Sequence, residues 1–374
     1  TDCSTVVGWR AAIPSAEAAV PAVSSAGQAG HMPVPGGPRP LPEVVLSRDL
    51  GDNASRQAAA QGLVKVLHGA YVAPLANANK WQAAEHLARA RVAAVFHRLT
   101  NGAVFSHESA ALIHGLWLVT APMTVHVTQR HKPSTRTPTL HRHAGTLMPE
   151  DVVEVHGIRV TSVERTVADL AKTLHPRDAL ILADSALRLL VDPNRDQLSA
   201  VRRTTEVVRA RLMEKVETGA QHGRRQARAI VAYADPLPES PYESIVRWIA
   251  LSRGLPRPEL QRRFDIRGNT YYTDMYWLFE LTVDDRPFRL CLIAEYDGEQ
   301  KYLGGTSADD PEAAAQAVLA EKRREDDLRG MADTDVRRFD RRDVQKIEAT
   351  FRRLCTALPK SYMASLRQVP ELIG

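Results

Sequence analysis

The sequence predicts a multidomain α/β protein, and three observations support this prediction. The chain has 374 residues, which is more than one hydrophobic core usually organises. Its apolar residues recur at helical spacing in some stretches and alternate in others, so helices and strands follow one another along the chain. Changes in composition then divide the chain into an extension over residues 1–41 and regions over 42–75, 76–193, 194–235 and 236–374.

The composition excludes several classes of protein. Apolar residues make up 44% and charged residues 25% of the chain, close to the averages of globular proteins. No run of about 18 apolar residues is present and the first residues lack a secretory-signal pattern, so we expect a cytoplasmic protein without a membrane partner. The cysteines Cys3, Cys291 and Cys355 form no CxxC pair, which excludes a disulfide framework and a zinc ribbon.

The first two regions differ sharply in pattern. Residues 1–41 are rich in Ala, Pro, Ser and Gly and lack apolar periodicity, so we expect this extension to be disordered. From Leu46 the pattern predicts a helix, a turn, a second helix and a hairpin around His68, with Ser47 and Ser55 as helix N-caps. This is the order of elements in a winged helix, so we predict a winged-helix-like region over residues 42–75.

Residues 76–193 mix the two periodicities. The stretch "WQAAEHLARARVAAVFHRL" has the period of a helix, whereas "MTVHVT" alternates like a strand and "VVEVHGIRV" like a hairpin. We therefore predict an α/β middle domain here.

A basic helical connector is predicted over residues 194–235. Between Gln197 and Tyr233 the chain has eight basic and three acidic residues, a local excess equal to the net charge of +5 of the whole chain. Such a segment favours contact with DNA phosphates, and the alternative is an ordinary solvated helix face. The arginines that we expect to contact DNA are Arg202, Arg203, Arg224 and Arg225.

The last region, residues 236–374, begins after two interrupting prolines and alternates helices with strands. We predict helices over 240–253, 311–330 and 340–358, and strands over 259–266, 270–279, 288–297 and 335–339. Helices in this order can cover both faces of one sheet.

Acidic residues mark two of these strands. Asp274 lies on one predicted strand, and Glu295 and Asp297 lie on the next. Residues two apart on a strand project to the same face, so Glu295 and Asp297 point together, and pairing of the strands brings Asp274 beside them. Converging carboxylates are the ligands that Mg²⁺ or Mn²⁺ prefers, so we predict a divalent-cation site there.

The same region resembles a known nuclease family. The stretches "SPYESIVRWIALSRGLPRPELQRRF", "EYDGEQKY" and "EKRREDDLR" are similar to the very-short-patch-repair-like branch of the PD-(D/E)XK superfamily. The resemblance implies a restriction-endonuclease-like α/β/α domain in which Asp274 and Glu295 bind the metal. The usual Lys is replaced by Asp297, and Lys301 stands where this branch often has a basic residue.

Glu243 has two interpretations. The resemblance implies that it joins the metal ligands, as the acid on the first helix does in many such nucleases. Alternatively, Ser240, Pro241 and Glu243 form a capping box, in which the Glu243 carboxylate accepts a hydrogen bond from the amide of the cap residue Ser240.

The upstream half resembles a second family. The stretches "GLVKVLHGAYV", "SHESAALIHGL", "VHGIRVTSVERTVADLA" and "ILADSAL" are similar to the AbiEi-type antitoxins of type IV toxin-antitoxin systems. The resemblance implies a DNA-binding winged helix and a cognate toxin as partner, and Arg56 and Lys65 are the expected phosphate contacts. The prolines Pro38, Pro40 and Pro42 stand where that family has a helix, so we expect a shortened helix-turn-helix.

The histidines do not predict a metal site. His107 and His114 are seven residues apart, and His141 and His143 share a strand face, but no further ligand completes either pair. We interpret both pairs as structural or surface residues.

Together these features predict a bacterial DNA-acting protein with a metal-dependent endonuclease-like domain. The alternative is a non-enzymatic transcriptional regulator or antitoxin whose nuclease domain is degenerate and only binds DNA or a partner. Lys301 discriminates between them, because an active site without the usual Lys needs another basic group near the acids.

Overall fold

The computed structural model describes residues 37–99, 102–131, 137–297 and 311–373. Of the extension predicted to be disordered, residues 1–36 lie outside this part of the chain. Residues 37–44 have no regular secondary structure. They pack against a helix further along the chain, because the buried Arg89 donates hydrogen bonds to the carbonyl oxygens of Arg39 and Pro40, at 2.6 and 2.8 Å.

The first small sheet follows this segment. Its elements are β1 (Val45–Leu46), α1 (Ser47–Leu50), α2 (Ala54–Ala60), β2 (Val64–Leu67) and β3 (Ala70–Val72). The strands pair antiparallel in the order β1-β3-β2. The predicted succession of two helices and a hairpin is present, but the predicted N-caps are wrong: Leu46 and Asn53 precede the two helices. Ser55 lies inside α2, where its hydroxyl contacts that of Tyr71 at 3.0 Å.

The middle region has a five-stranded sheet of order β6-β5-β4-β8-β7. Its strands are β4 (Val104–Phe105), β5 (Val125–Gln129), β6 (Leu140–Ala144), β7 (Val152–Val155) and β8 (Ile158–Thr161). Its helices are α3 (Lys80–Phe96), α4 (His107–His114), α5 (Val163–Ala171) and α6 (Pro176–Val191). The apolar face of α6 is fully buried and belongs to the main core.

The basic segment forms two packed helices, α7 (Leu198–Glu217) and α8 (Arg224–Tyr233), which contact α5 and α6. One face of α7 is buried although its other faces are charged and exposed. This face consists of Val201, Thr205, Val208, Leu212 and Val216.

The last region is a four-stranded sheet of order β12-β11-β10-β9. Its strands are β9 (Glu259–Ile266), β10 (Asn269–Val283), β11 (Arg286–Tyr296) and β12 (Thr334–Phe339). Only β12 runs parallel to its neighbour. Its helices are α9 (Pro241–Ser252), α10 (Pro311–Arg329), α11 (Ile347–Leu354) and α12 (Lys360–Ser365).

This sheet is covered on both faces. Met275 and Trp277 share the main core with residues of α9, whereas Tyr276 and Ile293 pack with Leu328 of α10. The sheet therefore separates α9 from α10, as predicted for this region.

The predicted helix over residues 340–358 is wrong at its start. The carboxylate of Asp340 accepts hydrogen bonds from the backbone amides of Arg342 and Asp343, at 2.7 and 2.9 Å. This local bonding competes with a helical backbone and delays the helix to Ile347.

A buried ion pair joins the middle and last regions. Asp184 of α6 and Arg247 of α9 are almost inaccessible, and their charged groups lie 2.5 Å apart. Ser244 donates a further hydrogen bond to Asp184 at 2.7 Å. The two regions therefore share one continuous core.

Within the described ranges, no helix is both long enough and apolar enough to cross a membrane.

Candidate acidic site at the end of the sheet

Asp274 and Glu295 lie on adjacent antiparallel strands, β10 and β11. The regular pairing of these strands ends with the pair Met275 and Ala294. Asp274 and Glu295 are the next residues beyond this last pair. Beyond that point the Asp274 carboxylate accepts a hydrogen bond from the backbone amide of Tyr296, at 2.8 Å. Asp274 thus replaces the next backbone bond of the ladder, and its side chain is fixed at the end of the paired segment.

Glu243 is brought to the same place by the first turn of α9. The ring of its neighbour Tyr242 stacks on the ring of Tyr296, with centroids 4.8 Å apart, so α9 begins over the end of β11. Burial and the negative charge of Asp274 raise the pKa of Glu243 well above its usual value. The half-buried Glu243 and Asp274 are therefore close enough to repel each other when both are ionised.

The predicted capping box is present only in part. The Ser240 hydroxyl accepts a hydrogen bond from the Glu243 amide at 3.2 Å, as expected of an N-cap. The Glu243 carboxylate accepts from the amide of Glu239 at 2.7 Å, not from that of Ser240, so this half of the prediction is wrong by one residue.

Glu295 is held by arginines. Its side chain is 1% exposed, and Arg324 of α10 contacts both of its carboxylate oxygens, one of them at 3.1 Å. Arg338 of β12 lies 3.5 Å from Glu295 and 3.3 Å from Asp297, which follows β11. Glu321 of α10 accepts from both arginines.

The positive charges in this network are firmly retained. Burial alone would lower the pKa of Arg338, but Asp297, Glu321 and Glu295 raise it above its usual value. The pKa of Arg324 is raised in the same way, with Asp274 among the contributing charges. Glu295 and Asp297 thus lie against two guanidinium groups, and Asp274 is near enough to one of them to influence its pKa.

Gln261 adds backbone strain beside Asp274. It lies on β9 at the position opposite Asp274, where the pairing of β9 with β10 is interrupted, and its φ is +49°. Gln261 is also buried, at 3% exposure. Residues held in such a conformation concentrate at functional sites, which agrees with the position of Gln261 next to the acids.

Sequence reasoning missed the two arginines and Glu321. Glu321, Arg324 and Leu328 are spaced three and four residues apart on α10, which places them on one face of that helix. Since Leu328 is fully buried, this face contacts the sheet, and the spacing could have identified Arg324 as pointing toward the acids. Lys301, the predicted basic residue, lies outside the described residues.

The predicted DNA contacts are distributed over two surfaces. Arg56 on α2 and Lys65 on β2 are both exposed. Arg202 and Arg203 are exposed on α7 and have no acidic partner among the described residues. The other two predicted arginines have acidic neighbours, because Arg224 lies 4.0 Å from Glu217 and Arg225 lies 2.5 Å from Glu371.

Of the two histidine pairs, His141 and His143 share a strand face as predicted, with their rings stacked at 4.3 Å, whereas His107 and His114 have separate surroundings. His114 is buried, and its Nε2 contacts the carbonyl oxygen of Thr161 at 2.7 Å. His107 lies instead beside His126 and His143, in a cluster on the middle sheet. Burial, with the neighbouring histidines, lowers the pKa of His107 to about 2 and that of His143 to about 4.

No family model matches the chain, and no curated protein matches it. One similar solved structure is described as the crystal structure of the Rv2827c protein from Mycobacterium tuberculosis. It is 16% identical, with a TM-score of 0.26, and the match covers 51% of this chain and 76% of that chain.

Proposed function

We propose that this protein acts on DNA and that its last region cleaves phosphodiester bonds with a divalent cation, Mg²⁺ or Mn²⁺. The observation that carries the proposal is the close approach of Glu243 of α9 and Asp274 of β10 at one end of the sheet, where Glu295 occupies the next register position of β11. Acids that repel one another are costly to hold together, and a cation that they share offsets that cost.

Glu243 and Asp274 fit a hard cation best. Glu243 lies on α9 and Asp274 on β10, and the negative charge of Asp274 raises the pKa of Glu243. Carboxylate oxygens are the donors that Mg²⁺ prefers. Glu295 and Asp297 remain candidate ligands, but both are engaged by arginines. A bound Mg²⁺ or Mn²⁺ would lower the pKa of a coordinated water and neutralise charge on the phosphodiester.

The arginines supply the positive charge that the usual motif Lys would bring. Arg324 is anchored by Glu295 and by the backbone carbonyl of Tyr272 at 2.8 Å, so its guanidinium is held beside Asp274. The Nη groups of Arg324 donate to Glu295, Glu321 and Tyr272, so the guanidinium would act on a bound phosphate through its fixed positive charge, which stabilises negative charge as it develops. Lys301 is proposed to assist in the same role.

DNA would be bound by the regions upstream. Arg56 and Lys65 are exposed on the helix and hairpin of a region with the element order of a winged helix, where they suit phosphate contacts. Arg202 and Arg203 provide a second exposed pair on α7. A cognate toxin is a further proposed partner of these upstream regions.

A second candidate function is favoured by the ion pairs themselves. Arg324 and Arg338 neutralise Glu295 and Asp297, so these two acids need no cation to offset their charge. The protein would then be a transcriptional regulator or antitoxin whose nuclease-like domain only binds DNA or a partner.

Cleavage assays separate the two functions. Plasmid and linear DNA are incubated with the full chain and Mg²⁺ or Mn²⁺, and we expect cleavage that Asp274→Ala and Glu243→Ala reduce by roughly 100-fold or more. Asp265→Ala is the matched control, because Asp265 is an exposed acid on β9 that pairs with Arg263 away from the cluster. Binding of DNA without any cleavage of duplex, nicked or single-stranded substrates would leave only the regulator.

A further inference from the structure

A cluster of histidines lies on one face of the middle sheet, remote in sequence from the acidic site. His126 is on β5 and His141 and His143 are on β6, in a parallel pair where His126 is opposite His141. Residues two apart share a face of the sheet, so His141 and His143 point the same way. His107 joins them from the first position of α4, directly after β4.

Three of these rings are close enough to share one ion. His107, His126 and His143 each offer a ring nitrogen, and these nitrogens all lie within 4.8 Å of one another. Nδ1 of His126 and Nε2 of His143 are 3.0 Å apart. Nitrogens bound at about 2.0–2.1 Å to one tetrahedral Zn²⁺ are roughly 3.4 Å apart, so small side-chain rotations would complete the geometry.

The position of His107 is fixed by buried polar groups. Its Nδ1 contacts the hydroxyl of Ser106 at 3.0 Å, and Ser106 is fully buried and accepts a hydrogen bond from Thr128 at 2.9 Å. This bond leaves Nε2 of His107 for a ligand. Metal-binding histidines commonly use their second nitrogen in this way, and the partner sets the orientation of the ring.

The backbone of His126 is held by hydrogen bonds on both sides. Its backbone amide donates to the hydroxyl of Ser109 at 2.8 Å, and its carbonyl accepts from the amide of Ser106 at 3.1 Å. The Glu108 carboxylate lies 3.4 Å from Nδ1 of His126. A negative charge at this distance would stabilise a cation bound to the ring.

The backbone at His107 is also strained. Its φ is +53°, in the left-handed region that residues other than glycine seldom adopt. This conformation costs free energy and persists only where the surroundings enforce it, and such residues cluster at binding sites.

We propose that His107, His126 and His143 bind one divalent transition-metal ion, and that Zn²⁺ is the ion their imidazole donors suit best. Three protein ligands leave one coordination position for solvent, and imidazole nitrogens favour Zn²⁺ over Mg²⁺. The ion would tie the start of α4 to the edge strand β6. This site is independent of the proposed nuclease, which uses oxygen donors on a different sheet.

Metal titration of the full chain tests the site. The protein is prepared without a histidine tag, stripped with a chelator, and titrated with Zn²⁺ by calorimetry and with Co²⁺ by visible absorption. We expect one Zn²⁺ per chain, an intense tetrahedral Co²⁺ spectrum and a higher melting temperature with Zn²⁺, because an ion that binds only the folded state stabilises it.

Four variants show which residues bind the ion. His126→Gln and His143→Gln should each weaken Zn²⁺ binding at least tenfold and abolish the Co²⁺ spectrum, whereas His222→Gln, at an exposed position outside the cluster, should change neither. His107→Asn, which tolerates the positive φ, should weaken binding as well and provides the test if a strand variant fails to fold. Equal binding by the wild type and these cluster variants, or no binding by the wild type, would overturn the proposal.

Discussion

Glu243 serves two requirements that conflict at neutral pH. Its carboxylate caps the amide of Glu239 at the start of α9, where a negative charge is favourable. The same carboxylate lies beside Asp274, and burial together with that charge raises its pKa well above the usual value. Ionising Glu243 beside Asp274 costs free energy. A bound cation that offsets the repulsion between the two carboxylates explains this position better than helix capping alone.

The variant Glu243→Gln tests this explanation through stability. Between the ordinary pKa of a glutamate and the raised pKa of Glu243, the folded protein holds more protons than the unfolded chain, so the stability of the wild type falls as pH rises through this window. Gln does not ionise and still accepts a hydrogen bond. We therefore expect Glu243→Gln to raise the melting temperature at pH 7 without added metal and to flatten its dependence on pH.

Thermal unfolding between pH 4 and 9 measures this effect, with and without Mg²⁺. We expect Mg²⁺ to stabilise the wild type and not Glu243→Gln, since the variant lacks one proposed ligand. Glu280→Gln is the control, because Glu280 is a strongly exposed glutamate on β10. A lower melting temperature of Glu243→Gln at every pH would assign Glu243 to helix capping only.

The acids of the site could be predicted from the sequence, but their partners could not. Glu295 stands out because a buried strand ends there in charge, and Asp274 stands out as an acid on the preceding predicted strand. Arg324 and Arg338 come from α10 and β12, and only the parallel pairing of β12 with β11 shows that Arg338 is opposite Glu295. Pairing between distant strands is not encoded in local periodicity.

At the scale of elements, the local sequence pattern predicted the strands of the last region. β9 has the predicted bounds, whereas β10 and β11 form a longer hairpin.

The sequence pattern did not predict the contacts of the loop between α7 and α8. This loop contains Gly219 and Gly223, both with positive φ, at +75° and +72°. A Cβ on Gly223 would lie 2.1 Å from the carbonyl oxygen of Lys172 at the end of α5, but one on Gly219 would meet nothing within 4 Å.

These two glycines allow a matched comparison. Gly219→Ala should cost roughly 1 kcal/mol of unfolding free energy, because alanine is disfavoured at positive φ. Gly223→Ala carries the same strain and also forces α8 away from α5, so we expect a loss of roughly 3 kcal/mol or more. Chemical denaturation of the two variants beside the wild type measures both values, and equal losses would show that α5 and α8 separate easily.

At the scale of the whole molecule, the predicted connector is part of the core. The buried residues of α7 recur at spacings of three and four, so the helical period in the sequence already indicated a packed face. Residues from β1 to the last short helix, such as Leu46, Leu212 and Leu372, belong to one continuous apolar cluster, and the Asp184–Arg247 pair is buried as well.

Ion pairs between elements determine which basic side chains of α7 and α8 are available to DNA. Most basic side chains of α7 and α8 have acidic neighbours, many of them on other elements. These are the pairs Arg209–Glu206, Arg211–Glu164, Lys215–Asp151, Arg224–Glu217, Arg225–Glu371 and Arg228–Glu217. Arg202 and Arg203 have none among the described residues, so the local excess of charge is concentrated on these two exposed arginines.

The double variant Arg202→Ala and Arg203→Ala tests whether this pair contacts DNA. Each phosphate contact of a duplex-binding protein adds roughly 0.9 to the slope of log affinity against log salt. If both arginines contact phosphates, the slope of the variant should be shallower by about 1.8, measured by fluorescence anisotropy with labelled duplex DNA. Arg286→Ala with Arg289→Ala removes the same charge from exposed positions on β11 and should leave the slope nearly unchanged. Equal slopes for the wild type and the Arg202 and Arg203 variant would show that these arginines face solvent, and DNA binding would then depend on Arg56 and Lys65.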